Sequence, residues 1–219
     1  MTRTSEVPFL QGAFTSKYPY LFHITCSDNL SAIRQTGVLR SASSLAGHAG
    51  SAEAIRTRRT APHLLTLNGS PIWLQTQRKL AAGHIKLDAS FPLEMFITLL
   101  NGKVFFWPGK EIDHPIDYGV RHKESNDWPT PWVVLRVPSE LIIAKTKLSR
   151  CNSGAPRTSN GKKASRGAKT FLTASEFEGS LSKVVEVVFD EEVTLPASTA
   201  ARHIDYGDWS PLFSLESIP

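Results

Sequence analysis

The chain has 219 residues, 41% of them hydrophobic, with 25 Lys and Arg against 20 Asp and Glu for a net charge of +5; this composition excludes a disordered chain and fits one domain over residues 1–219. Two cysteines, Cys26 and Cys151, and seven scattered histidines leave no disulfide framework and no metal site to expect. No apolar run reaches the roughly 18 residues of a membrane span, and Met1–Glu6 lacks the apolar stretch of a secretory signal, so a cytoplasmic protein with no membrane partner is expected.

Taken in chain order, residues 1–20 read as an irregular lead-in. Tyr20–Thr25 is aromatic and β-branched and predicts a strand. Ser27 and Asp28 are candidate N-caps of a following helix, whose Leu30 and Ile33 are three apart and whose Gly37 suits the left-handed C′ position. Residues 41–52 are rich in Ser, Ala and Gly and read as a loop; Ala52–Arg59 suggests a short basic helix. Pro71–Leu74 fits the start of a strand or of a helix.

Apolar residues at 93, 96, 97 and 100 have helical spacing within Phe91–Leu100, and Asn101-Gly102 ends that run. Lys103–Trp107 follows as a strand stopped by Pro108-Gly109, and Trp132–Val137 as another. Residues 147–169 are polar and Gly-rich and read as a mobile loop. Val184–Phe189 is the last clear strand. Strands separated by irregular stretches with few helices make an α+β domain.

Charge is unevenly spread. From Lys145 to Lys169 there are eight Lys or Arg and no acid; the rest of the chain holds 17 basic against 20 acidic residues. Such runs are most often solvated surface, but this one would also suit phosphates. Lys147, Arg150, Arg157, Lys162, Lys163 and Arg166 are its candidate nucleic-acid contacts.

Three motifs carry chemistry. In the first, His23 at a strand end precedes a helix start, in the pattern His23-x-Thr25-x-x-x-Asn29-Leu30-x-x-Ile33-x-x-x-Gly37. The second is Lys103-Val104-Phe105-Phe106-Trp107-Pro108-Gly109; alternation sets Phe105 and Trp107 on one side and Phe106 on the other, and one side has to face the core. In the third, Glu186 stands among Val184, Val185, Val187 and Val188, where a lone acid is costly to bury unless it is paired or borders a cleft.

Together and in this order the three resemble the motifs of the bacterial DNA ADP-ribosyltransferase toxins of toxin–antitoxin systems. Leu100-Asn101-Gly102-Lys103-Val104-Phe105-Phe106-Trp107 is closer still to a Leu-Asn-x-x-Val-Phe-Phe-Trp block of an uncharacterised bacterial family. The resemblance implies an ADP-ribosyltransferase-like split β-sandwich with short flanking helices that uses NAD as substrate. It implies catalytic parts for Glu186 and His23, and NAD contacts from His23, Thr25, Asn29, Phe105, Phe106 and Trp107.

The toxins also use an arginine between the first two motifs. Arg40, Arg56, Arg58, Arg59 and Arg78 occupy that interval, with Arg56 and Arg78 taken as candidates for the NAD pyrophosphate. Cys26 stands where the toxins often have a histidine. By analogy a toxic activity would have a neutralising antitoxin. The expected function is ADP-ribosyl transfer to a DNA or RNA base, presented by the 145–169 loop. The alternative is a catalytically silent nucleic-acid-binding module on the same fold. A Cys26–His23 nucleophile is a third, weaker reading.

Overall fold

The computed structural model describes residues 6–77, 80, 85–110, 130–143, 147–149, 165–173, 175–177, 180–181, 184–204 and 207–213. The elements are α1 (Glu6–Lys17), β1 (Tyr20–Cys26), α2 (Leu30–Thr36), β2 (Val38–Arg40), α3 (Ala42–His48), β3 (His63–Leu67), β4 (Ser70–Leu74), β5 (Lys86–Leu87) and α4 (Leu93–Asn101). There follow β6 (Lys103–Gly109), β7 (Trp132–Pro138), β8 (Lys147–Ser149), β9 (Ser165–Arg166), β10 (Leu172–Thr173), β11 (Glu186–Asp190), β12 (Glu192–Thr194), β13 (Ala200–His203) and β14 (Ser210–Pro211). The fold is α+β.

An eight-stranded sheet runs β10-β8-β11-β6-β1-β7-β13-β14, antiparallel throughout. Side-chain alternation gives it two faces. Leu21, Val104, Phe106, Val133, Leu135, Val137, Val187 and Phe189 share the first, where they pack with Phe14 of α1, Leu30 and Ile33 of α2, and Leu39 of β2. On the second face, Val188 packs with Phe96 and Leu100 of α4 and with Phe171, while Phe22, Trp132 and Val134 pack with Ile204. A smaller unit of α3, β3 and β4 has its own cluster of Ala46, Leu65, Leu67, Ile72 and Leu74.

Several local expectations change. The lead-in contains helix α1, which shows no apolar stripe in sequence; its Phe14 is buried and packs at a tilt against Tyr18, ring centres 5.1 Å apart, so tertiary docking supports it. The 41–52 loop contains α3, capped by Ser41 Oγ accepting from the Ser44 amide at 3.1 Å. Ala52–Arg59 shortens to a 3-10 turn at Ala52–Ile55. Neither Ser27 nor Asp28 caps α2; Ser27–Asn29 form a 3-10 turn ahead of it. Gly37 takes the expected left-handed conformation, with φ at 66°.

Pro71–Leu74 is strand, paired with β3 across Asn68-Gly69. Both turn residues have positive φ, 50° and 79°, the requirement of a type I′ hairpin turn that Asn-Gly meets. Within the expected 147–169 loop, Lys147–Ser149 and Ser165–Arg166 are strands. Strands β12 to β14 carry too few residues to announce themselves in sequence.

Candidate functional site

The site lies where β1 and β6 part. β1 pairs with β6 through Tyr20, Leu21 and Phe22 against Gly109, Pro108 and Trp107. β6 pairs with β11 through its other half, Lys103–Phe106. β1 meanwhile continues along β7 to Cys26. Beyond Phe22, therefore, a wedge opens between β1 and the first half of β6.

His23 bridges that wedge. Its Nδ1 lies 2.8 Å from the Phe105 carbonyl oxygen, and its ring is 5.5 Å from that of Phe106. A carbonyl only accepts, so Nδ1 carries the proton. Burial pushes the His23 pKa below 6.5, against the opposing effect of the Phe105 hydrogen bond. The imidazole is thus neutral at pH 7, and Nε2 is an acceptor.

His23 lines a cavity of about 60 Å³ together with Thr25, Asn29, Ile33, Leu39, Arg40, Leu67 and Ile72. One water needs about 10–15 Å³ of such space, so the cavity holds a few waters or a small polar group, and a dinucleotide would lie partly outside it. Alternation along β1 sets His23 and Thr25 on the same face. Asn29 is committed to structure. Its Oδ1 accepts from the Trp73 amide at 2.8 Å, and its Nδ2 donates to the Trp73 carbonyl at 3.1 Å and to Thr25 Oγ1 at 3.0 Å. Asp28 completes this joint by accepting from Trp73 Nε1 at 3.1 Å. Thr25, already accepting from Asn29, keeps its own hydroxyl proton to donate.

Arg40 enters the cavity wall from β2. Its side chain is 16% exposed, with Nε 3.4 Å from Glu192 Oε2 and Nη1 3.4 Å from Thr36 Oγ1. Nε is buried, and the Glu192 contact lacks hydrogen-bond geometry. Arg40 is one of the five arginines between the first two motifs, and which of them shares a cavity with His23 depends on how β2 returns beside β1. Arg56 is exposed at the end of its 3-10 turn and does not line the cavity. Arg78 lies outside the described residues. Arg59 is structural: it donates to the Gln75 carbonyl and to Asn101 Oδ1, both at 3.0 Å, and burial lowers its pKa to about 10.

Glu186 begins β11 and is 2% exposed. It is not in the cavity wall. Alternation with Val188 gives it the second face, opposite to that of His23. One step beyond the Val187–Phe106 pair, it comes level with Trp107, itself opposite Phe22. Of the aromatic strand, Phe106 is core, at 5.4 Å from Phe189, which corrects its expected place at a ligand. Phe105 packs edge-on against Phe171 at 5.9 Å. Trp107 is half-buried.

Among the basic candidates, Arg150, Arg157, Lys162 and Lys163 lie outside the described residues, as does the side chain of Lys147. Arg166 is a correction. It is 0% exposed in β9 beside Leu87, so it is no surface contact for phosphate. Cys26 is buried, on the face opposite to His23, and burial raises its thiol pKa; it is no nucleophile partner for that ring. Among the described residues no group of His, Cys, Asp and Glu could hold a metal ion, and no helix is long and apolar enough to cross a membrane.

A family profile matches residues 19–199, from the start of β1 to the edge of β13, and so takes in both His23 and Glu186. The chain belongs to the family of unknown function DUF7002. No curated protein and no solved structure matches it.

Proposed function

We propose that this DUF7002 protein is an NAD-dependent ADP-ribosyltransferase of the split β-sandwich kind, acting on a DNA or RNA base. The observation that carries the reading is the cavity walled by β1, α2, β2 and the β3–β4 hairpin, where an acceptor (His23 Nε2), a donor (the Thr25 hydroxyl) and a cation (Arg40) come together. A ribose supplies hydroxyls for the first two, and a pyrophosphate supplies charge for the third.

In this reading the adenosine ribose sits on His23 and the pyrophosphate on Arg40. The nicotinamide half extends along the wedge toward Trp107, with Phe105 or Trp107 against its ring. The bond from ribose C1′ to the nicotinamide nitrogen breaks, and its electron pair leaves with nicotinamide. Glu186 stabilises the oxocarbenium-like ribose and hydrogen-bonds its 2′-hydroxyl. A nucleophilic atom of the acceptor base then bonds C1′, losing a proton to Glu186. The reading requires the wedge to widen at Trp107 as NAD enters.

The test is incubation with NAD and single- or double-stranded DNA or RNA, following nicotinamide release by mass spectrometry. Wild type should release nicotinamide with one nucleic acid. Glu186→Gln should lose about 10²–10⁴ in rate while still binding NAD, and undiminished turnover in that variant would sink the assignment. The burial of Glu186 away from the cavity favours a second reading, a silent nucleic-acid-binding module. That reading predicts oligonucleotide binding with no release at all.

A further inference from the structure

The tail residues Gly207-Asp208-Trp209 follow β13, and Trp209 lies against the second face of the sheet. There Tyr20, Arg136, Trp209 and Arg202 form a ladder of alternating rings and guanidiniums. The Arg136 guanidinium is 4.8 Å from the Tyr20 ring centre and 4.5 Å from that of Trp209, and the Arg202 guanidinium is 5.4 Å from Trp209. Register explains the assembly: Arg136 stands opposite Phe22 on one side and Ala200 on the other, and Arg202 is two residues on from Ala200, on the same face.

Two guanidiniums on one indole repel each other, and the ring faces offset only part of that cost. Among the described residues neither arginine has a hydrogen bond or an ion pair, and Arg202 Nε is buried without a hydrogen-bond partner. Asp208, the described acid beside Trp209, is exposed. The ladder thus concentrates positive charge and planar donors that match phosphate oxygens.

We propose that Arg136 and Arg202, stacked on Trp209, bind the phosphodiester backbone of a single-stranded nucleic acid. Arg136, Phe22, Trp107 and Glu186 lie in one row on one face of the sheet. Three strand spacings separate Arg136 from Glu186, about 14 Å. The choice of a single strand rests on the transferase reading, because a base that reacts at Glu186 has to be outside a stack. The phosphate site itself needs no NAD chemistry.

The experiment is fluorescence anisotropy of labelled oligothymidylate, oligouridylate and a DNA duplex over a salt series, without NAD. Arg136→Gln/Arg202→Gln should bind the single strands at least about tenfold more weakly. Its log–log salt slope should be shallower by about 1.4, since each phosphate contact on a single strand contributes about 0.7. Arg136→Lys/Arg202→Lys should keep the wild-type slope. If the double Gln variant does not fold by thermal melting, Arg202→Gln alone should show a change of about 0.7. An unchanged slope and affinity in a folded Gln variant overturns the proposal, as does loss of binding only in Lys162→Gln/Lys163→Gln. Tighter binding of the duplex than of the single strands overturns it too. Since NAD is absent, failure here and failure to release nicotinamide are separate results.

Discussion

His23 concentrates the residue-scale argument. Its ring is held neutral by burial, with its proton pinned to the Phe105 carbonyl. Because its folded pKa lies below the ordinary 6.5, the unfolded chain takes up a proton first as pH falls. The native state therefore loses stability through that window, from 6.5 downward to the folded pKa. Urea unfolding at pH 7 and pH 5 should show a larger acid-induced loss in wild type than in His23→Gln; equal losses would mean that the ring does not titrate as described. Ligand affinity should fall in the same window, since protonation removes the Nε2 acceptor. Asn29 contributes differently. Asn29→Ala leaves both Trp73 backbone groups and the Thr25 hydroxyl without their partner, and should cost about 2 kcal/mol in denaturant unfolding. A cost near zero would show that water replaces the amide.

At the scale of elements, the hairpin β3–β4 and the strap β2–β12 build the cavity around β1. Leu67 and Ile72 of the hairpin and Arg40 of the strap are wall residues. The hairpin depends on the left-handed turn at Asn68-Gly69, where a Cβ on Gly69 would meet nothing within 4 Å. The cost of Gly69→Ala is therefore backbone strain alone, about 1 kcal/mol. Equilibrium unfolding should show that loss, and a stabilised variant would contradict the turn assignment. Asn-Gly is the pair a type I′ turn favours, so the signal for this hairpin is local, whereas Pro71–Leu74 taken alone fits a strand or a helix. Helix α1 was not legible in the same sense: it depends on Phe14 finding a buried site between distant strands.

For the whole molecule, a ligand that binds only the folded chain also stabilises it. A ligand at about 100 times its Kd adds about 2.7 kcal/mol to unfolding, which for a chain of this length raises Tm by several degrees. NAD should do this in wild type and less in Arg40→Gln at the same concentration. A thermal-shift series with no NAD effect at saturating concentration would remove the dinucleotide from the reading and leave the nucleic-acid surface as the leading function.

Pattern alone determined the α+β class, strands β1, β6, β7 and β11, and helix α4. These rest on local chemistry: period-2 and period-3.6 apolar spacing and a glycine at a left-handed position; His23, expected at a strand end, lies in the middle of β1. The tertiary structure decided the rest. It put Arg40 and not Arg56 in the cavity wall, turned Asn29 into a joint, sent Phe106 and Arg166 into the interior, and assembled Tyr20, Arg136, Arg202 and Trp209 on one face. Each of these depends on which strands lie side by side and on where β1 and β6 part. Strand order comes from burying both faces of one sheet at once, a condition on the whole chain that no local window of sequence contains.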